Sequence, residues 1–157
     1  MGAKRLSEIY VHVICSTKGR APLISDGSRE AFGNLLIGLA SELGVETVVV
    51  GGWRDHMHGE FLMPPTIAVA DFVGKWKGQS SFRANRRNLF GRRFQWSRGY
   101  AAFSVSPTAV DRVADYIFRQ DEIHRSRDLS AEMRRISQSL TLDSETTSNL
   151  LNLGLED

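Results

Sequence analysis

The spacing of apolar and polar positions changes repeatedly along the chain and predicts an alternation of strands and helices. Ile9-Tyr-Val-His-Val-Ile-Cys15 is β-branched and aromatic and predicts a first strand. Lys18-Gly19-Arg20-Ala21-Pro22 reads as a loop. From about Asp26 to Leu43, Phe32, Leu35, Leu36, Leu39, Ala40 and Leu43 recur at helical spacing, and Gly44 supplies a stop. Val45 to Trp53 is a second strand, mostly apolar, which predicts burial on both faces. Arg54-Asp55 connects it tightly to a third strand, His56 to Met63, which Pro64-Pro65 ends because proline has no N–H for the ladder. A second helix follows Thr66 with Val69, Phe72, Val73 and Trp76 on one face; Gly78 interrupts it and predicts a separate short helix over Ser80–Leu89. After a basic loop, Gly91 to Gly99, comes a fourth strand, Tyr100 to Val105. Ser106-Pro107 then opens a helix, with Ser as N-cap and Pro at the first helical position, that runs to about His124. Its stripe is Val110, Val113, Ala114, Ile117 and Phe118. Leu129 to Leu151 is helix-prone and thins into Ser/Thr-rich sequence, so 1–127 is expected to form the main domain and 128–157 a C-terminal helical arm or tail.

The order strand, helix, strand, strand, helix, strand predicts an α+β, ferredoxin-like antiparallel sheet with helices on one face. The other face is then open for ligands, and the last helix of the main domain lies late in the chain. At 157 residues and 41% hydrophobic content, one domain can bury an ample core. The apolar runs are far short of a bilayer span, and the N-terminus, with Lys4 and Arg5, lacks the apolar stretch of a signal peptide. A single cysteine, Cys15, excludes an internal disulfide framework, suits a cytoplasmic location and reads as a small buried hydrophobe.

Charge changes the picture more than composition does. The net charge is only +2, but between Asp71 and Asp111 no acid offsets Lys75, Lys77, Arg83, Arg86, Arg87, Arg92, Arg93 and Arg98. Phe72, Trp76, Phe82, Phe90, Phe94 and Trp96 are interleaved with them. Such a block is a footprint for a polyanion, of which nucleic acid is the commonest, and Lys18 and Arg20 add bases on a nearby loop. The plainer reading is a solvated helix face with core aromatics. After Arg135 the sign reverses, with Asp143, Glu145, Glu156 and Asp157 and no base.

Candidate chemistry centres on His56-Met57-His58. On a strand, the two histidines share one face while Met57 enters the core. The plain reading is a pair of solvent-facing histidines on an edge strand; the sharper one is a grip on a divalent ion. Tyr116 and Gln120 are four residues apart, on one face of the helix after Pro107, with His124 a turn further. Two neutral imidazoles and an amide oxygen can hold Mg²⁺ or Mn²⁺ with positions left open. The ion would polarise a scissile phosphate, and a tyrosine phenol relieved of its proton would attack phosphorus. No organic cofactor is called for.

These pieces resemble, in order, the single-tyrosine transposases of the His-hydrophobic-His nuclease superfamily, of the insertion-sequence-200-like type, including relatives associated with repetitive extragenic palindromes. Tyr10-Val-His-Val-Ile-Cys-Ser-Thr-Lys18 resembles the family's first strand, and Asp55-His-Met-His58 before Pro64-Pro65 its metal strand. Val73-Gly-Lys-Trp-Lys-Gly-Gln-Ser-Ser81 resembles its central helix, Phe94 to Ser106 the strand before the catalytic helix, and Tyr116-Ile-Phe-Arg-Gln120 the nucleophile motif. The resemblance spans about residues 8 to 125. It implies metal ligation by His56, His58 and Gln120, and Tyr116 as a nucleophile that ends on a 5′ phosphate and frees a 3′ hydroxyl. It also implies hairpin-bearing single-stranded DNA as substrate and a homodimer. The chain departs from the pattern at Gly59-Glu60: Glu60 is either a further ligand or, more plainly, an exposed residue, unless Gly59 marks a bulge. His124 is a DNA contact, a water-mediated contact to the metal or a helix C-terminal charge. A non-catalytic nucleic-acid-binding module and a host-retained enzyme processing palindromic repeats are the alternatives.

Overall fold

The computed structural model describes residues 6–155; Lys4, Arg5, Glu156 and Asp157 lie outside the described residues. Four strands, β1 (Ile9–Ser16), β2 (Glu46–Gly52), β3 (His56–Met63) and β4 (Ala101–Val105), form one sheet in the order β2-β3-β1-β4, and every pairing is antiparallel. Helix α1 (Arg29–Glu42) links β1 to β2, and α2 (Val69–Arg86) links β3 to β4. This is the ferredoxin-like α+β arrangement predicted. Four further helices follow: α3 (Val110–Phe118), α4 (Gln120–His124), α5 (Leu129–Ser139) and α6 (Ser144–Leu151).

Strand alternation sorts the side chains. Val11, Val13, Cys15, Met57, Phe61 and Met63 face α1 and α2 and join Phe32, Leu36, Leu39, Phe72, Trp76, Phe94 and Trp96 in the main core. Burial pushes the Cys15 thiol up to about 12, so it packs as an inert apolar group. Gly59 faces the same side, where a Cβ would lie 2.3 Å from the ring of Phe61. The irregularity in the sheet is not at Gly59 but in β2, where the register against β3 shifts between Thr47 and Val49. Glu60 therefore keeps the face of His56 and His58.

The open second face is where the structure departs from expectation. Ile14 on β1, with Ala101 and Phe103 of β4, presents apolar surface there, and Leu129, Met133, Leu150 and Leu153 of the C-terminal helices cover it in a second core. Two more expectations change. β2 is an edge strand, because β3 occupies the interior position; Val48 is exposed and Val49 and Val50 are half-buried, rather than buried on both faces. α2 runs unbroken through Gly78 to Arg86, since Trp76, Ser80 and Ala84 on either side keep it fixed to the core. The helix after Pro107 breaks at Arg119 and resumes as α4. No helix among the described residues is long and apolar enough to cross a membrane.

Candidate active site

The histidines lie on an interior strand and are fully buried, both at 0% exposure. Each is held from behind. The Asp55 carboxylate lies 2.7 Å from His56 Nδ1, whose N–H donates to it and turns Nε2 inward. His12, on the neighbouring strand, places Nε2 2.8 Å from His58 Nδ1, and the rings stack. Burial, then the neighbouring His58, lowers His12 to about 3, so it is neutral and can accept the Nδ1–H of His58. That tautomer leaves His58 Nε2 with an inward lone pair.

From the opposite side, α3 and α4 close on the pair. Gly51 on β2, the register partner of His58, makes the approach possible: a Cβ there would lie 2.4 Å from the Ile117 carbonyl oxygen. Ile117 is fully buried, which fixes Tyr116 beside it. The Tyr116 ring meets His58 edge-on at 5.8 Å and His12 at 6.3 Å. Gln120 is buried, with Oε1 3.0 Å from His56 Nε2 and 3.1 Å from His124 Nε2. His124 donates Nδ1–H to the Arg127 carbonyl at 2.8 Å, so its Nε2 also faces the site.

A further group enters from α5. Glu132, 3% exposed, sets one carboxylate oxygen 2.6 Å from His58 Nε2 and the other in contact with His124 Nε2 and 3.6 Å from His56 Nε2. His56, His58 and Glu132 can together hold a metal ion, with ligand atoms all within 4.8 Å of one another. The chemistry of the set fits a divalent cation. His58 Nε2 and Glu132 Oε1 are close, yet neither makes a hydrogen bond, as expected of two lone-pair donors aimed at a common point. Burial alone would lower His56, but Asp55 and Glu132 overcome it and raise the imidazole to about 9. Burial works against the Glu132 carboxylate, and the surrounding histidines overcome it and hold the group far below the usual carboxylate range. The phenol of Tyr116 is pushed above its ordinary value by burial and by Glu132, against the opposing influence of Gln120 and Arg135.

Thus His56, His58, Gln120, His124 and Tyr116 meet at one buried point. Glu60 does not join it: it is buried at 0% exposure, not exposed, both carboxylate oxygens are without hydrogen bonds, and burial followed by Asp111 raises it to about 7. Sequence gives no site role to His12, Asp55 or Glu132, although the first two lie within the quoted motifs. Asp55 adjoins His56 and could have been noticed; His12 needed the strand register, and Glu132 needed the fold of the C-terminal helices.

The basic residues are dispersed. Lys77 is buried and donates to the carbonyls of Ser97, Arg98 and Gly99 at 2.6, 3.0 and 2.8 Å, fixing the loop before β4. Arg20 donates to the C-terminal helices, Arg83 pairs with Glu42, and Arg92 donates to the Pro22 carbonyl. Lys18, Lys75, Arg86, Arg87, Arg93 and Arg98 are exposed. Phe72, Trp76, Phe94 and Trp96 are core residues, Phe90 is half-buried against the core, and Phe82 is exposed at 63%. α2 packs on the face opposite the histidines, whereas Arg125, Arg127, Arg134 and Arg135 are exposed on the site's own side of the sheet.

An antiparallel α+β sheet with a buried histidine pair on an interior strand and a tyrosine delivered by a late helix defines a class of single-tyrosine DNA transposases. Comparison places the chain within it: residues 5–120 match the family of IS200-like transposases, and the chain belongs to that family. It is 28% identical over 116 residues to the transposases for insertion sequence element IS200 of Salmonella typhimurium and of Salmonella typhi, covering 71% of this chain and 76% of each relative. Two solved structures share its fold. A putative transposase from Deinococcus radiodurans R1 superposes with a TM-score of 0.60 at 24% identity, covering 76% of this chain and 96% of that one. A REP-associated tyrosine transposase bound to a REP hairpin gives 0.57 at 14% identity, covering 79% and 74%.

Proposed function

We propose that this transposase cleaves and rejoins hairpin-bearing single-stranded DNA through a covalent phosphotyrosine at Tyr116, aided by a divalent ion, Mg²⁺ or Mn²⁺, at His56, His58 and Gln120. The observation that carries the reading is the convergence of the Tyr116 ring and the inward nitrogens of both histidines on one buried point. When bound, the ion supplies Lewis acidity toward a scissile phosphate oxygen. The chain's own groups do the rest. His12 and Asp55 orient the two imidazoles so that Nε2 of each faces inward. Gln120 presents an amide oxygen and cannot donate a proton from it. The Tyr116 oxygen bonds to phosphorus as the bond from phosphorus to the 3′ oxygen breaks; the phenol proton leaves, and the departing 3′ oxygen ends as a hydroxyl. The phosphoester energy stays in the link to the 5′ end, so attack by a 3′ hydroxyl on that link reverses the step and rejoins strands. Exposed bases, including Arg125, Arg127, Arg134 and Arg135 on the site's side, suit a phosphate backbone.

The test is incubation of the full chain with single-stranded hairpin DNA and Mn²⁺, followed by mass analysis of adducts. The expected outcome is one adduct at Tyr116, lost in Tyr116→Phe with hairpin binding retained. An adduct that persists in that variant overturns the nucleophile. Cleavage that survives EDTA overturns the metal.

A further inference from the structure

A second cluster flanks the site at the turn from β2 to β3. Trp53 is half-buried there, with the guanidinium carbon of Arg29 4.8 Å and that of Arg54 5.1 Å from its ring centroid. A guanidinium laid over an indole is held in place and keeps N–H groups for an anion. Asp26 takes that place. Its two oxygens accept from Arg54, at 3.2 Å from Nε and 2.8 Å from a terminal nitrogen, and Arg29 pairs with it as well. Hydrogen bonds from Arg54 and then Arg29 lower Asp26 to about 2. The Arg29 Nε is buried without a hydrogen-bond partner, so donor capacity is left over. The turn itself is fixed: the Trp53 N–H donates to the His56 carbonyl at 3.0 Å, and the Arg54 carbonyl accepts from the Ile24 N–H at 2.9 Å.

Packed rings join this cluster to the site. Trp53 stacks on His124, with centroids 6.0 Å apart and planes at 21°, and the His124 ring lies 4.6 Å from that of His56. Arg54 also directly precedes Asp55, which orients His56. A single strand that leaves the histidines on this side meets the two guanidiniums next. The side chains of Arg54 and Asp26 are 53% and 56% exposed, so their pairing contributes little to stability and is open to exchange. A phosphodiester offers the same two-oxygen face as a carboxylate, in the forked geometry that arginine matches. We propose that Arg29 and Arg54, held on Trp53, form a clamp for the phosphate of a nucleotide flanking the scissile one, and that Asp26 occupies the clamp in the DNA-free protein. The proposal rests on single-stranded DNA being the substrate at Tyr116. The clamp positions the strand and does not read it, because a diester carries no base identity.

The experiment is anisotropy titration of the full chain against a labelled DNA hairpin with an oligothymidylate extension on each side, in EDTA and over a range of salt. The same hairpin without extensions runs beside it. Arg54→Ala is expected to weaken binding of the extended hairpin about 5-fold or more. The slope of log K against log salt becomes shallower by about 0.7, the share of one single-strand phosphate. Binding of the blunt hairpin is expected to stay as in the wild type. Asp26→Asn keeps every donor and removes the competing charge, so it tightens binding of the extended hairpin by about 2-fold to 5-fold, the scale of one exposed charge pair. An ion pair that only braces the turn predicts the reverse. An unchanged salt slope in Arg54→Ala, an equal loss on the blunt hairpin, or binding that is unchanged or weaker in Asp26→Asn overturns the proposal. Asp26→Asn decides the matter if Arg54→Ala does not fold. Binding in EDTA is read apart from adduct formation, which separates the two readings. If the wild type binds the extended hairpin no better than the blunt one, single-stranded DNA is not held and the substrate reading falls with the clamp. If it binds the extended hairpin better and Arg54→Ala keeps the wild-type slope, only the clamp falls.

Discussion

At the scale of single residues, the site depends on neighbours that do no chemistry themselves. Gly51 is one: the Ile117 carbonyl sits where its Cβ would be. Gly51→Ala is expected to push α3 off β2 and cost about 1–3 kcal/mol in denaturant unfolding. Adduct formation is expected to fall about 100-fold, because an ångström of misplacement at a nucleophile is enough for that. His12 is another. Its folded value near 3 lies below the unfolded value of 6.5, so between these the unfolded chain binds the proton that the folded one refuses. That contribution to stability is fully present above pH 6.5 and is lost as pH falls toward 3, at about 1.4 kcal/mol per pH unit for one such group. His12→Gln keeps an acceptor for His58, and its stability-versus-pH curve is expected to be shallower over that interval by up to one proton. An unchanged slope would mean that His12 is not neutral in the folded state.

At the scale of elements, the bounds and facing of β3 were legible, though not its interior position: the period of two in His56-Met57-His58 dictates which side chains share a face, and proline ends the strand. The edge position of β2 was not, because strand order depends on pairings between residues far apart in sequence, and an apolar run reads alike in the middle and at the margin of a sheet. The basic block shows the limit of composition. Its aromatics are interleaved with bases in sequence as in a polyanion footprint, yet Phe72, Trp76, Phe94 and Trp96 are spaced to fill the core. Lys77 belongs with them. Its ammonium satisfies three backbone carbonyls from a buried position, so Lys77→Met is expected to lower unfolding stability by about 2–4 kcal/mol by leaving them without that donor. Loss of DNA affinity at unchanged stability would instead make it a phosphate contact.

At the scale of the whole molecule, the candidate site was half legible. The histidine pair, Tyr116 and Gln120 announce themselves by spacing, whereas Glu132 announces nothing: a glutamate on an amphipathic helix normally faces water, and only the docking of α5 on Ile14 turns it inward. One chain supplies every group that meets at the site, with Tyr116 against its own His58. We therefore expect that mixing His56→Ala with Tyr116→Phe restores no adduct, even if the resemblance's dimer forms. Restored adduct in the mixture would show that the tyrosine serves a partner's histidines.

The second core also sets an order of events during synthesis. β4 completes the sheet well before Leu129, Met133, Leu150 and Leu153 leave the ribosome. Until they do, Ile14, Ala101 and Phe103 lack the side chains that cover them, and the face that carries Tyr116 and the histidines lacks its C-terminal helices. A nascent or prematurely ended chain is thus sticky and unlidded together. A chain stopped after residue 127 is expected to sediment into the insoluble fraction on expression, and a charged residue in place of Phe103 should return part of it to solution.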